Sequence, residues 1–390
     1  MSNKPPTIEI FGTGTHNRGA ELMALAIAQR VRQRFPSARI VVPPQLWDFE
    51  SRTRNGFFLN WDYVGKLAKT RCLLTKAASR RFPNVCGMIP PDEVDVVLDA
   101  SGFAFSDQWG PETARILLRK MERAERKSQR LVFMPQAFGP FRNPEVARTC
   151  KDLLNRADLV FARDPKSLSE VRELGLSTDV ILSPDFTVGL PATACRFQGL
   201  PKTYSAIVPN RRMMDKTTDQ ETYLSFIRTA VDMLRNAGLN PIFVLHDAKE
   251  DAKVVRKLPE AYQQLPIFEH SDPLILKHVL GRARCVVGSR FHALVSALSQ
   301  GVPCIGAGWS HKYPELFKLF GCADMLVRDL ADSSLISRLI TEVANPSSSA
   351  ELSERILLHA AQVKNDNDHM WNRVLDIIGS TVSETEPCHV

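Results

Sequence analysis

The stretch Val286–Pro303, VVGSRFHALVSALSQGVP, decides the fold of this chain. It opens with the apolar end of a strand, and Ser289 is a residue type that commonly caps a helix. A helix is predicted from Arg290 to Gln300, and Gly301 stands where a glycine often ends one. The next strand follows directly. The stretch therefore predicts a strand–helix–strand unit of a parallel sheet.

The same alternation extends in both directions from this stretch. Apolar segments of strand length alternate with amphipathic helical segments, and the predicted strands are apolar on both faces, as in a parallel sheet covered by helices. The segment from Leu190 to Thr203 interrupts the pattern with two prolines and a glycine, and we interpret it as a linker. The predicted strands are Thr7 to Phe11, Arg39 to Val42, Val94 to Leu98, Arg130 to Phe133, Leu159 to Ala162, Val180 to Leu182, Tyr204 to Val208, Pro241 to Leu245, Arg284 to Gly288 and Pro303 to Gly306.

The sequence thus predicts an α/β protein of two Rossmann-like domains that face a cleft. The N-terminal domain is expected over 1–195 and the C-terminal domain over 200–365. A terminal helix and tail are expected over 366–390, with the helix near Asp368 to Ile378.

Composition excludes several classes of protein. Charged residues are 24% and hydrophobic residues 44% of the 390, which excludes a wholly disordered chain. No apolar stretch approaches the ~18 residues of a membrane-spanning helix, and no secretory signal precedes the first strand. The eight cysteines form no C-x-x-C pair and lie beside no histidine at metal-ligand spacing, so they predict reduced thiols in a cytoplasmic protein and no metal site. The net charge of +7 favours an anionic ligand, but no recognised motif predicts nucleic-acid binding.

A glycine-rich loop follows the first strand, from Gly12 to Gly19. Its spacing, G-x-G-x-x-x-x-G, is two residues longer than the dinucleotide fingerprint, and the second strand ends in Pro43-Pro44 with no carboxylate for a ribose. No NAD, FAD or other cofactor is predicted. The loop is either a tight turn that lets strand and helix pack, or a ligand site made by its backbone amides and Asn17.

The turn at Ser289 favours an anion site. If Ser289 caps the helix, Arg290 and His292 lie in its first turn, beside free backbone N–H groups and the positive end of the helix dipole. Lys312, just before Pro314, starts the next helix. The alternative is that Arg290 pairs with a surface carboxylate and His292 is a satisfied histidine near the surface.

In these motifs the chain resembles the polysaccharide pyruvyl transferase family over most of its length. The blocks ADLVFARDPKS (157–167) and VVGSRFHALVSALSQGVP (286–303), followed by Lys312, are specific in combination. The resemblance implies a fold similar to the B-type glycosyltransferases. It also implies transfer of an enolpyruvyl unit from phosphoenolpyruvate to two hydroxyls of a sugar, glycan or lipid-linked saccharide, giving a pyruvate ketal.

The resemblance also implies which residues act. Donor binding and catalysis fall on Arg163, Arg290, His292 and Lys312, to which the strand-end positions add Ser289 and Arg211 for the donor. His292 is our candidate for the general acid, and the base is either Asp185 or a water oriented by Asn17. The N-terminal half is expected to hold the acceptor, with Asn17, Glu21, Ser101 and Gln136. Many members have an acidic residue after the loop glycine and three glycines after the third strand, where this chain has Gly19-Ala20 and Ala100-Ser101-Gly102.

Two other functions stay open. A nucleotide-sugar glycosyltransferase of the same architecture commonly uses a glutamate in a G-x-x-x-x-E-A-L-like segment, and Ser296 stands at that place here. A non-catalytic binding protein of this fold is the third reading.

The basic segment 61–82 has two interpretations. Its lysines and arginines surround an apolar face, which is typical of an amphipathic helix on anionic lipid at the inner membrane surface, where a lipid-linked acceptor would sit. The alternative is a solvated surface helix.

Overall fold

A computed structural model of the protein describes residues 5–60, 87–124, 129–195, 199–216 and 219–383. Contacts divide the chain into two compact units. The first unit comprises Met1–His16, Met23–Phe186 and Asp366–Val390, and the second comprises Asn17–Leu22 and Thr187–Asn365.

The first unit is built on an eight-stranded parallel sheet in the order β4-β3-β2-β1-β5-β6-β7-β8. The central strands are almost fully buried, because helices cover the sheet. Its strands are β1 (Thr7–Phe11), β2 (Arg39–Val42), β3 (Phe58–Asn60), β4 (Met88–Ile89), β5 (Val96–Asp99), β6 (Arg130–Gln136), β7 (Leu159–Ala162) and β8 (Val180–Leu182).

Local sequence sets where the helices of this unit begin. Asn143 and Asp164 each accept a backbone N–H with the side chain, and a proline follows each of them at the first helical position. The helices are α1 (Arg18–Arg34), α2 (Phe49–Arg54), α3 (Glu112–Ala124), α4 (Pro144–Leu154) and α5 (Pro165–Glu173). By contacts, the first turn of α1 belongs to the second unit.

The second unit is built on a six-stranded parallel sheet in the order β11-β10-β9-β12-β13-β14. Its strands are β9 (Ser205–Val208), β10 (Pro241–Leu245), β11 (Ile267–Glu269), β12 (Val286–Gly288), β13 (Cys304–Ala307) and β14 (Leu326–Val327). Its helices are α6 (Arg211–Lys216), α7 (Gln220–Asn236), α8 (Ala248–Val255), α9 (Glu260–Gln263), α10 (Pro273–Arg282), α11 (Phe291–Leu298), α12 (Lys312–Leu319) and α13 (Ser333–Ala344).

The α/β class and the two parallel sheets confirm the predicted fold class. The last helix, α14 (Pro346–Ser383), is longer than the predicted segment near 368–378. It starts early because Asn345 accepts the N–H groups of Ser347 and Ser348, as a helix cap does. The segment 61–82 lies outside the described residues.

A buried charged group fixes the centre of the first sheet. Glu9 lies in β1, and its side chain is 4% exposed. Lys120 of α3 reaches the Glu9 carboxylate at 2.8 Å, and the amide of Asn60 in β3 donates to the same oxygen. Strands β1 and β3 and helix α3 therefore share one compensated charge.

We predict that Lys120→Ala lowers the free energy of unfolding by about 3–5 kcal/mol, because it leaves Glu9 charged and unpaired in the core. Denaturant unfolding followed by circular dichroism measures the change. Arg115→Ala on the same helix removes solvent-accessible pairs with Glu112 and Glu145 and is the control, with an expected loss below about 1 kcal/mol. Equal losses in the two variants would contradict the role given to the buried pair.

Candidate active site

The strand order of the second sheet reverses between β9 and β12, which are adjacent central strands. In open parallel sheets, ligands bind at such a switch point, beyond the carboxyl ends of the strands. Asn210 follows β9 and Ser289 follows β12 at this edge. The Asn210 amide donates to the Ser289 carbonyl at 2.7 Å, and the Tyr313 hydroxyl donates to the same carbonyl at 2.8 Å. The turn that carries Ser289 is thus held by two buried donors.

Ser289 is not the helix cap that the sequence predicted. The cap position of α11 belongs to Arg290, and no side chain caps it. The Ser289 hydroxyl instead accepts a hydrogen bond from Tyr223 at 3.2 Å and is buried. Contact with α7 thus replaces the local capping bond, and sequence spacing could not show it.

Arg290 forms a bidentate pair with a buried carboxylate. Its Nε and Nη2 donate to Asp251 at 2.9 and 2.5 Å. Asp251 lies in α8, where its side chain has no exposed area, and it also accepts the N–H groups of Arg211 and Asp247. Burial works against the charge of Arg290, but the Asp251 carboxylate outweighs it and raises the pKa of the guanidinium. The pairing fixes the orientation of Arg290, and among the described residues no hydrogen bond involves its Nη1.

His292 lies in the first turn of α11, as predicted, and is partly buried. Its ring packs edge-on against Phe291. Gly19, in the first turn of α1, lies so close that a β-carbon there would be 2.4 Å from His292 Nδ1. Both residues belong to the second unit, so the glycine loop contributes a surface beside the histidine.

His246 is a member of this cluster that the sequence analysis did not select. It follows β10 directly and is 2% exposed, and its Nε2 has no hydrogen-bond partner among the described residues. Burial, followed by the positive charges of Arg290, His292 and Arg18, lowers the pKa of His246 to about 3. The ring is therefore neutral at physiological pH. Its place after a strand was the available signal, and burial beside Arg290 came only from the fold.

Lys312 and Arg211 are the other predicted donor residues of this unit, and each has its own partners. Lys312 begins α12, and its Nζ lies 5.2–5.5 Å from the ring centroids of Phe291, Trp309 and Tyr313. Contacts of this kind stabilise an ammonium group without neutralising it. Arg211 begins α6 and pairs with Asp215 at 2.6 Å.

Asn17 and Glu21 were predicted to bind the acceptor from the N-terminal domain, but by contacts both belong to the second unit. The side-chain oxygen of Asn17 accepts the N–H of Gly19 at 2.9 Å, as a helix cap does. Glu21 is fully buried and pairs with Arg18 at 2.5 Å. The loop thus presents Arg18, a further cation whose charge acts on His246.

In the first unit, Arg163 and Asp185 pair with each other. Arg163 Nη1 donates to Asp185 Oδ2 at 3.0 Å, and the two side chains are 4% and 2% exposed. Arg163 follows β7 and Asp185 follows β8, so the pair joins two neighbouring strand ends. Their roles as donor ligand and base stay predictions.

Ser101 and Gln136 share a partner in the same unit. Both donate to Asp99, the last residue of β5, at 2.9 Å from Ser101 Oγ and 2.6 Å from Gln136 Nε2. The structure therefore brings two of the four predicted acceptor residues together. Asp99 itself was passed over, because sequence alone does not distinguish a functional strand-end carboxylate from a structural one.

Among the described residues, no group of three or more histidine, cysteine, aspartate or glutamate side chains has an arrangement suited to a metal ion. No helix in the part of the chain that the structure describes is both long and apolar enough to cross a membrane.

The comparisons with known proteins agree with the fold. A family model described as polysaccharide pyruvyl transferase matches residues 17–311. No curated protein sequence matches significantly. Among solved structures, Alr3699/HepE of Anabaena, in complex with UDP and glucose, is similar at a TM-score of 0.57 and 14% identity, over 95% of this chain and 99% of that one. A putative UDP-N-acetylglucosamine 2-epimerase of Listeria monocytogenes is similar at 0.61 and 13%, over 98% of both chains. The UDP-GlcNAc 2-epimerase of Neisseria meningitidis, bound to UDP-GlcNAc, is similar at 0.59 and 11%, over 95% and 100%. The fold is thus that of the B-type glycosyltransferases and these epimerases.

We predict that the His246 ring stays neutral between pH 5 and pH 8, because burial and the nearby cations oppose its protonation. Proton–nitrogen NMR of the histidine rings measures this, with the His246 signal assigned by its loss in His246→Gln. The ring nitrogens should keep the shifts of a neutral imidazole over the whole range. A titration with a midpoint near 6.5 would contradict the prediction.

Proposed function

Because this chain belongs to the polysaccharide pyruvyl transferase family, we propose that it transfers a pyruvyl group from phosphoenolpyruvate to two hydroxyls of a sugar, forming a ketal and releasing phosphate. The observation that supports this best is the Arg290–Asp251 pair beside His246 and His292, at the switch point of the second sheet. It provides an oriented arginine and two histidines in a buried setting.

The donor is a small molecule with a carboxylate and a phosphate. We propose that the Nη1 edge of Arg290, the neutral His246 and the ammonium of Lys312 bind these groups. An arginine held by a carboxylate loses little side-chain entropy on binding, and its remaining N–H groups suit an oxyanion. Arg18 adds positive charge from the glycine loop. Ser289 stabilises the turn through its buried hydrogen bond with Tyr223. The role of Arg163 as a donor residue stays a prediction.

His292 is the proposed general acid. A bound dianion favours the imidazolium form of this side chain. Donor binding would thus promote uptake by His292 of the proton that the reaction needs. Its transfer to the methylene carbon of phosphoenolpyruvate makes a methyl group and leaves an electron-poor central carbon for attack by a sugar hydroxyl.

The acceptor is proposed to contact Ser101 and Gln136. Asn17 and Glu21 organise the loop around Gly19 and Arg18, so we give them a supporting role beside the donor.

The competing function is transfer from a nucleotide sugar, since two of the similar structures are complexes with UDP and glucose and with UDP-GlcNAc. Ser296, where a ribose-binding glutamate is commonly found, is 1% exposed inside α11. A buried hydroxyl in that place offers a ribose little, and the pyruvyl donor is therefore favoured.

We predict that phosphoenolpyruvate binds this chain more tightly than UDP-glucose or GDP-mannose in isothermal titration. Arg290→Lys should weaken phosphoenolpyruvate by about tenfold or more, because lysine lacks the planar guanidinium that Asp251 orients. Arg228→Lys, in an exposed pair with Glu221, is the control and should bind as the wild type does.

Incubation with candidate glycans, followed by mass spectrometry, should show a pyruvate ketal and released phosphate. Tighter binding of the nucleotide sugars would favour the glycosyltransferase instead.

We predict that His292→Asn lowers kcat by about 10²–10⁴-fold while the Kd for phosphoenolpyruvate changes only a few-fold, since it removes the proton donor. Pyruvyl-transfer kinetics and titration measure the two effects separately. His270→Asn, at a histidine that accepts only the N–H of Asp272 in the described structure, is the control. Parallel losses of binding and turnover would make His292 a donor ligand rather than the acid.

A further inference from the structure

The first sheet also has a switch point, between β1 and β5. Gly12 follows β1 and Ser101 follows β5 at that edge. The two are in close contact, because a β-carbon on Gly12 would lie 2.1 Å from Ser101 Oγ. Gly12 also has a φ of +78°, which favours glycine. This backbone holds the Ser101 hydroxyl against Asp99.

Asp99 differs from the other buried carboxylates described above. Glu9, Asp185 and Asp251 each face a lysine or arginine within 3.0 Å. Asp99 is fully buried, and the groups that donate to it are uncharged: Gln136 Nε2, Ser101 Oγ and, at 3.4 Å, the Ser101 N–H. Burial, opposed by these three hydrogen bonds, raises the pKa of Asp99 to about 6. A carboxylate in this setting accepts a proton readily near neutral pH.

Gln136 has a side-chain oxygen with no assigned role. Because its amide nitrogen donates to Asp99, its Oε1 points away from that carboxylate, and this buried atom has no hydrogen-bond partner among the described residues. Thr13, directly after Gly12, carries a second such atom, Oγ1, and is 0% exposed. A buried acceptor without a donor is costly unless a ligand supplies one.

Asp99, Gln136 and Ser101 differ in their exposure to solvent. Asp99 and Gln136 are buried, whereas Ser101 is partly exposed. A molecule at this edge would therefore meet the Ser101 hydroxyl first and reach Asp99 only through it.

We propose that Ser101 and Asp99 form a proton relay for the acceptor sugar, with Gln136 Oε1 as the acceptor of a neighbouring hydroxyl. The inference rests on the proposed function and names Asp99 as its base in place of Asp185, which is paired with Arg163. Ser101 is the residue that touches the sugar, and Asp99 acts through it.

In the proposed reaction two carbon–oxygen bonds to the sugar form and the carbon–oxygen bond to phosphate breaks. As the first sugar oxygen bonds to the central carbon of the protonated pyruvyl unit, its proton passes to Ser101 Oγ, and the serine proton passes to Asp99. When the second sugar oxygen bonds to the same carbon, the carbon–oxygen bond to phosphate breaks and phosphate leaves with the second hydroxyl proton. Asp99 then returns its proton through Ser101 to solvent, and the methyl proton given by His292 is replaced from solvent.

The test compares Asp99→Asn and Ser101→Ala with the wild type, and Asp95→Asn, just before the first residue of β5, is the matched control. Pyruvyl transfer is measured at saturating phosphoenolpyruvate from pH 5 to pH 8.5, with acceptor kcat/KM, donor Kd and the thermal midpoint for each variant. In the wild type, acceptor kcat/KM should fall below about pH 6, because Asp99 is then protonated.

Asp99→Asn and Ser101→Ala should lower kcat by about 100-fold or more, with donor Kd unchanged within twofold. Asp99→Asn should also lose the acidic limb of the pH profile. Because the folded state raises this pKa, ionised Asp99 destabilises the fold above pH 6, so Asp99→Asn should melt at an equal or higher temperature at pH 8. A merely structural Asp99 would instead lower the midpoint and leave the acidic limb in place.

Suppose that the wild type transfers a pyruvyl group but that kcat of either variant is within threefold of the wild-type value, or that Asp99→Asn keeps the acidic limb. Either result would overturn the relay and leave the proposed function intact. Failure of the wild type to transfer a pyruvyl group, or to bind phosphoenolpyruvate, would overturn the proposed function itself.

Discussion

The carboxylate of Asp251 gathers two side-chain donors from Arg290 and the backbone N–H groups of Arg211 and Asp247, all in one buried place. The geometry of the second unit's site depends on this interaction. Without the carboxylate, a guanidinium that is 14% exposed would have to swing into solvent or leave its charge uncompensated. With it, the arginine is fixed at the end of β12, and the histidines beside it have a constant electrostatic environment. Oriented charge is what a site for a small anion needs.

The two units use buried charge differently. In the second unit a paired arginine keeps a permanent positive charge near two histidines, which suits the binding and protonation of an anion. In the first unit Asp99 is held only by neutral donors, which suits the removal of a proton from a hydroxyl. The reaction that we propose needs one group to give a proton and another to take one. In other enzymes, too, different surroundings of two titratable groups decide which one acts as the acid and which as the base.

Much of the fold could be predicted from sequence, because apolar periodicity and chain-breaking residues are local signals. The strand–helix–strand unit over 286–303 is an example, and the position of His292 in the first helical turn follows from it. The short strands β3, β4, β11 and β14 were missed, since two or three residues carry almost no periodic signal. The site was predicted less completely. Asp251 binds Arg290 across 39 residues of sequence, and nothing local marks it as the partner.

The outer strands of both sheets are very short. Those of the first sheet, β4 and β8, have two and three residues, and those of the second, β11 and β14, have three and two. An edge strand exposes unpaired backbone groups that can recruit a strand from another molecule, and a ladder of two or three residues offers too few hydrogen bonds to hold one. Short border strands of this kind protect a parallel-sheet protein against edge-to-edge aggregation, because no long row of unpaired backbone groups is left for another chain to pair with.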